Sequence, residues 1–414
     1  MAERRGRNVR DVRRSNRSLL LRHLYFHPSS SRLDLSRATG LSAASVSSVV
    51  AELIEAQVVI ESGALESDGG RPRILLDVAA PRFQVIGVDV GETRIRVERF
   101  DLGLTELARA EIPMPQGREP GRCAPGDVVA GVAEGLAVVG LPDPDSGVRV
   151  LGIGIGVPGI VAGRPESVVH CQTIGWDAVP LEALLREVTD LPLFIDNGAN
   201  TLGQAEMWFG AGRGVSDTLF LLIGSGIGAS VMLDGVAYRG SSTSAGEWGH
   251  ITAAIGGRLC RCGARGCLEA YIGAESIIAR YAEAAPAADA ASAASEEDAL
   301  LRILAAARRE ESEQGRAARA VLAETALHLG VSIGNLINLF NPERIIIGGW
   351  AGLLLAGDLL PGVREVARAH ALRHPFSKAA IEVGRLGPDA VALGAATLPV
   401  ARFLHTAGVG PRSH

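Results

Sequence analysis

The chain has 414 residues, 47% hydrophobic and 21% charged, with a formal net charge of −5. That is too long for one small core, and the composition excludes both a mainly disordered chain and a disulfide-rich miniprotein. No run reaches the roughly 18 uncharged apolar residues of a membrane span. The Leu19-Leu20-Leu21 stretch behind the Arg-rich start is also too short for a signal peptide. The expectation is a cytoplasmic, nucleoid-associated protein with no membrane partner.

Charge divides the chain. Residues 1–80 hold 12 Arg against 9 Asp+Glu, and the remainder holds 29 basic against 37 acidic residues. A basic head on an acidic body points to a polyanion met by the head. Ser18 to Tyr25 is a helical apolar run. A short helix is predicted over Arg32 to Thr39, closed by Gly40 as a C-cap. Ser42 stands at an N-cap position, and Val46, Val49, Val50, Leu53 and Ile54 follow at helical spacing. The tight Thr39-Gly40-Leu41-Ser42 turn between the last two helices predicts a helix-turn-helix.

Strands at Val58–Glu61 and Arg73–Leu76, turned through Gly69-Gly70, add a β-hairpin wing. Residues 1–80 are therefore expected to form a winged helix-turn-helix that binds DNA, with Ala43–Glu55 as the recognition helix. Candidate contacts are Arg32, Ser42, Ser45, Ser48 and Arg71, the last placed where an arginine can enter a minor groove. The alternative is a three-helix protein-interaction module.

From residue 81 the pattern changes to strands with small or polar ends. Phe83–Val90 runs into Asp89-Val90-Gly91-Glu92-Thr93, followed by a strand from Arg94 to Phe100. Val148–Gly156 ends in Val157-Pro158-Gly159, and Leu193–Ile195 ends in Asp196-Asn197-Gly198-Ala199-Asn200. Thr218–Ile223 leads to Gly224-Ser225-Gly226-Ile227-Gly228, and Arg344–Ile347 leads to Gly348-Gly349. Ligand sites of α/β sheets lie at the carboxyl ends of strands, so these ends predict a cleft. Ala282–Ala299 is expected as a flexible surface insertion, before helices near Leu300–Glu311 and Arg316–Asn338.

The densest motif reads Gly246-Glu247-Trp248-Gly249-His250, then Cys260-Arg261-Cys262-Gly263-Ala264-Arg265-Gly266-Cys267-Leu268-Glu269. In a cytosolic chain such a cluster reads as a metal site before it reads as disulfides. His250, Cys260, Cys262 and Cys267 match the Cys₃His set of structural zinc, a closed tetrahedron with no position for a catalytic water.

On that run, residues 84–400 resemble the ROK family of sugar kinases and sugar-responsive repressors. The head resembles the winged helix of the family's repressor branch in Ser31-Arg32-x-Asp34-Leu35 and Gly70-Arg71-Pro72, with Gln57 where a glycine is usual. The resemblance implies a two-lobed, actin-like or ribonuclease-H-like α/β body. Its first lobe would be 81–205, joined by a C-terminal helix 388–405, and its second lobe 206–387 with the zinc loop and a dimerisation surface. It implies sugar contacts from Asn197, Glu247, His250 and Glu269 beside the Pro158-Gly159 turn, with His250 also on the zinc.

It further implies nucleotide loops, here as remnants at Asp89, Gly91, Thr93, Gly224, Gly226, Gly228, Gly348 and Gly349. Two departures bear on catalysis. The family's kinases read Asn-Asp-x-Asn where this chain has Asn197-Gly198-Ala199-Asn200, so the base position is Gly198. Asp196 is about 6–7 Å away by Cα, too far to stand in. Glu92 replaces the second glycine of Asp-x-Gly-Gly-Thr, and a carboxylate there repels phosphate at close range.

The expected protein is a sugar-responsive transcriptional repressor of carbohydrate genes, with a kinase-like domain that has no catalytic residue and is not an enzyme. It would act as a dimer, or a dimer of dimers, on an inverted-repeat operator. The alternatives are an active or residual ATP-dependent sugar kinase with a DNA-binding head, and a regulator that answers to a partner protein.

Overall fold

In the head, α1 (Val9–Phe26) extends beyond its predicted apolar run and buries Leu20, Leu21 and Leu24. After β1 (Ser30–Ser31), α2 (Arg32–Thr39) opens on a capping box. The Ser31 hydroxyl accepts from the Asp34 amide, and the Asp34 carboxylate accepts from the Ser31 amide. Gly40 ends the helix in the left-handed region at φ 70°. Ser42 caps α3 (Ala43–Glu55), which buries Val46, Val49, Val50 and Leu53 as the spacing predicts. Each such side chain stabilises the fold by about 1.5–3 kcal/mol when fully buried. Gln57 takes a left-handed turn at φ 56° without a glycine's freedom. β2 (Val59–Leu65) and β3 (Arg73–Val78) pair antiparallel, and β1 adds to the far edge of β3. This computed structural model describes residues 9–66, 72–114, 123–163, 167–286, 293–309 and 312–408. Arg71, a candidate DNA contact, and the Gly69-Gly70 turn lie outside them.

The first lobe comprises β4 (Phe83–Val90), β5 (Arg94–Asp101), β6 (Glu106–Pro113), α4 (Pro125–Val139) and β7 (Arg149–Val157). It continues through β8 (Ile160–Ala162), β9 (Val168–Cys171), β10 (Trp176–Val179), α5 (Leu181–Leu185), β11 (Leu193–Asn197) and α6 (Gly198–Phe209). Its main sheet runs β11-β7-β4-β5-β6, and β8–β10 form a small antiparallel sheet beside it.

The second lobe opens with β12 (Thr218–Ile223), β13 (Ile227–Leu233), β14 (Val236–Ala237), α7 (Glu269–Ile272) and α8 (Ala274–Ala284). Then come α9 (Glu296–Ala307), α10 (Glu313–Phe340), β15 (Arg344–Gly348), α11 (Trp350–His370), α12 (Arg373–Phe376) and β16 (Ala380–Val383). The order β14-β13-β12-β15-β16 repeats the first lobe's topology, an antiparallel meander extended by two parallel strands. The last helix, α13 (Ala390–His405), returns to the first lobe.

Close backbone approach seats α13. A methyl on Gly87 or Gly154, paired across β4 and β7, would lie 2.0 or 1.7 Å from a carbonyl oxygen of that helix. The far ends of α6 and α13 reach the head. Leu20, Leu21 and Leu24 share one core with Phe83, Phe100, Val400 and Phe403. The Ser18 hydroxyl donates to the Leu404 carbonyl at 2.8 Å. Trp208 meets the Tyr25 and Phe26 rings edge-on at 6.1 and 5.1 Å.

One expectation changes. The insertion at Ala282–Ala299 is shorter, because α8 runs to Ala284 and α9 starts at Glu296 on a Ser295 cap. Residues 287–292 within it lie outside the described residues. The division expected after residue 205 falls inside α6 (Gly198–Phe209), a helix that packs both on α13 and on β12 and β13. Among the described residues one helix, α10, is long and apolar enough to cross a membrane, and most of it is buried here as a core helix.

Candidate functional site

The strand ends converge on a cavity of about 440 Å³ between the lobes. Pro158, Gly159, Asn197, Glu247, His250 and Glu269 all line it. So do Asp89, Gly91, Thr93, Gly224, Gly226 and Gly228, together with Gly349. Gly348 does not reach it and packs on Leu202 instead.

Asn197 ends β11 and caps α6. Its Oδ1 accepts from the amides of Ala199 at 2.8 Å and Asn200 at 3.3 Å, and its Nδ2 donates to the Gly159 carbonyl at 2.7 Å. It therefore ties the Pro158-Gly159 turn to the start of α6. Asp196 is held by both terminal nitrogens of Arg239, one at 2.8 Å, and accepts from Asn200 Nδ2 at 3.2 Å. That carboxylate is committed to a clamp. A methyl placed on Gly198 would have no neighbour closer than 3.7 Å, so a Cβ fits there without a clash.

Glu269 begins α7 with both oxygens engaged. Oε2 accepts from the Ile227 amide at 3.1 Å, and Oε1 lies 3.4 Å from Arg261 Nη2 and 3.7 Å from Cys260 Sγ. Burial pushes the Glu247 carboxyl up; His250 opposes the shift and Glu269 adds to it. Burial also pushes Asp89 up to about 6, against the pull of Arg96 and Arg94.

The structure corrects the picture of Glu92 as a bare carboxylate. Both its oxygens accept from Arg261, one contact at 3.2 Å, so its charge is neutralised from the opposite lobe. Burial works against the Arg261 charge, but Glu92, Glu269 and Glu275 outweigh it and raise that group above its ordinary value.

The ligand atoms of His250, Cys260, Cys262 and Cys267 all lie within 4.8 Å of one another. Cys262 and Cys267 sulfurs are 3.7 Å apart, and Cys260 Sγ is 3.8 Å from His250 Nδ1. A tetrahedron with metal–sulfur bonds near 2.3 Å requires sulfur separations of about 3.8 Å. Donor set and spacing thus fit one tetrahedral cation. All five cysteines are free thiols, none in a disulfide.

His170, Gln172, Thr173 and Trp350 also line the cavity, and sequence reasoning missed them. The first three belong to β9 and the turn after it, which has no glycine-rich end to mark it. On the head, Arg32 is paired with Glu61 at 3.1 Å. Ser42 Oγ accepts from the Ser45 amide at 3.2 Å and sits 2.9 Å from its hydroxyl. Ser48 is exposed, as is Ser47, which had not been singled out. Glu52 is held by Arg13 and, at 3.6 Å, by Arg17 of α1.

A two-lobed, kinase-like body of actin-like fold, with a helical head packed into its core, is the class these features define. The chain belongs to the ROK family, whose sequence profile matches residues 85–402. It is 31% identical over 398 residues to the xylose repressor of Caldicellulosiruptor bescii, across 95% of this chain and 97% of that one. It is 33% identical over 312 residues to the glucokinase of Halalkalibacterium halodurans, across 75% of this chain and 92% of that one. Among solved structures, a ROK family transcriptional regulator homologous to the E. coli MLC protein superposes with a TM-score of 0.76. That structure is 26% identical and covers 96% of this chain and 98% of its own. The repressor and the regulator match nearly end to end, head included.

Proposed function

We propose that the protein is a sugar-responsive transcriptional repressor of carbohydrate genes whose kinase-like body binds a sugar and does not phosphorylate it. One observation carries the reading: the head shares a core with the first lobe, whose strand ends line a cleft that keeps Asn197, Glu247, His250 and Glu269. By the resemblance to the family's kinases, Gly198 stands where they have their base. Asn197, Glu247, His250 and Glu269 surround the sugar hydroxyls beside Pro158 and Gly159. A partly buried carboxylate such as Glu247 rejects an analogue lacking a hydroxyl, because it is then left unpaired.

His250, Cys260, Cys262 and Cys267 hold zinc, which shapes the loop and takes no part in chemistry. The head is a winged helix-turn-helix with α3 in the major groove and the Ser42, Ser45 and Ser48 side facing DNA, Arg32 close by. A dimer on an inverted repeat follows, because one helix reads too few base pairs for useful specificity. A thermal-shift panel of D-xylose, D-glucose and N-acetyl-D-glucosamine, followed by DNA binding with and without the sugar that responds, tests the whole reading. A sugar that binds but leaves DNA affinity unchanged refutes it.

Two further outcomes are expected. Arg71→Ala should weaken operator binding and lower the salt slope by about one. Unchanged affinity at low and high salt removes Arg71 from the interface. α6 spans about 15 Å from Gly198 at the cleft to the Trp208 contact with the head, at about 1.5 Å rise per residue. Trp208→Ala should therefore shrink the sugar-induced change in DNA affinity, normally about 5–150-fold for coupled sites, toward unity. Intact coupling in a folded Trp208→Ala protein would show that α6 does not carry it.

A further inference from the structure

Charges from the two lobes meet on top of Gly226. Glu92 follows β4 in the first lobe, and Arg261 lies between two cysteines of the second. Arg261 donates from both terminal nitrogens to Glu92, and Nη2 also reaches Glu269 at 3.4 Å. Glu275 lies 3.0 Å from Nη1. The Glu92 and Arg261 side chains are only 18% and 23% exposed, so their pairing is poorly screened. A methyl on Gly226 would lie 2.9 Å from Glu92 Oε1, 2.8 Å from Glu269 Oε2 and 3.0 Å from Arg261 Nη2.

The glycine-rich turn is already engaged by the protein itself. The Ile227 amide donates to Glu269, the Gly224 amide to the Gly226 carbonyl, and the Ser225 hydroxyl to Glu296. Such turns hold phosphate by presenting N–H groups to an anion, and here the Ile227 N–H already meets the Glu269 carboxylate. A second pair crosses the cleft nearby, Arg94 to Glu297 at 3.7 Å.

We infer that Glu92 and Arg261 form a built-in latch between the lobes, filling the position that nucleotide phosphates would take and holding the cleft closed without a nucleotide. Glu92 is a positioning residue: it fixes Arg261, which in turn fixes Glu269 in the cavity wall. With Glu92 neutralised, Arg261 keeps only Glu269 and Glu275, both in its own lobe, and the tie at this end of the cleft is gone, while the Arg239–Asp196 pair still joins the lobes beside α6. The latch deepens the proposed sugar-site reading and rests on it only for what the closed cleft encloses.

The test compares hydrogen exchange in the metal-loaded full chain and its Glu92→Gln variant. Amides of 224–228 and 260–269 should exchange at least roughly tenfold faster in the variant, while those of 85–90 and 218–223 stay unchanged. In a second arm, Mg²⁺ with the ATP analogue AMPPNP should raise the melting temperature of Glu92→Gly and not that of the unmodified protein. The rise should vanish in Glu92→Gly/Arg261→Gln. Equal exchange in both proteins, or faster exchange spread evenly over both sheets, overturns the latch. So does a wild-type response to the nucleotide, or none in Glu92→Gly. No readout uses sugar or DNA, so failure of the repressor reading and failure of the latch are separate results.

Discussion

Zinc removal by a chelator, or its exclusion by Cys262→Ser, is expected to lower the melting temperature by roughly 6–12 °C. That follows from a loss of about 3 kcal/mol at about 2–4 °C per kcal/mol, a modest share of the roughly 10–16 kcal/mol of zinc binding seen in small zinc domains. Residues 251–268 are otherwise shaped by turn hydrogen bonds, such as the Cys260 amide to the Ala264 carbonyl at 2.8 Å and the Gly266 amide to the Arg258 carbonyl at 2.7 Å, and by no larger element. Among the described residues they form only the isolated bridges Thr252–Cys267 and Leu259–Arg265, with no regular strand or helix. Yet Cys260 and Cys267 are 4% and 2% exposed and sit in the second lobe's core with Trp248, Leu268 and Tyr271. Losing the metal therefore loosens a core wall. The sugar response should go with it, because Glu269 follows Cys267 by two residues and Arg261 is flanked by two of the ligands. Elemental analysis should find one zinc per chain. A Cys262→Ser protein that melts and binds its sugar like the unmodified one would sink the structural role.

Local chemistry was legible in the sequence, and distant pairing was not. α2 and α3 appear at their predicted bounds because Ser31, Asp34, Gly40 and Ser42 carry the caps within a few residues of the ends they stop. The His/Cys cluster was legible for the same reason, since its three cysteines fall within one short loop. Arg261 was printed in that motif, but its partner Glu92 is 169 residues away, and nothing local marks the meeting. The repeated topology of the two large sheets left no repeat in the sequence, because a shared strand order constrains only which positions are apolar. The small sheet β8–β10 was missed because strands of three or four residues show no period. That α6 and α13 start at the cleft and end on the head is a property of packing alone.

No sugar phosphate is expected from the unmodified protein with ATP, Mg²⁺ and any of D-glucose, D-xylose or N-acetyl-D-glucosamine. Loss of a general base alone typically costs about 10²–10⁴-fold. Asp196, the nearest carboxylate in sequence, is already committed to Arg239 and Asn200. The second defect is not simple repulsion. The Glu92–Arg261 pair occupies the ground above Gly226, so a nucleotide must first break an ion pair that is largely out of water. The two defects are separable by mutation. Gly198→Asp introduces no clash at its Cβ, whose nearest neighbours would be 3.7 Å away. A carboxylate at the first residue of α6 is also favoured by the helix dipole. It supplies a base but leaves the latch shut, so turnover should stay absent. Glu92→Gly opens the latch and supplies no base, so nucleotide should bind without turnover. Only Gly198→Asp with Glu92→Gly should give sugar-dependent ADP production. Robust production by the unmodified protein would instead make the body a working sugar kinase, and turnover by Gly198→Asp alone would mean that the latch does not keep nucleotide out.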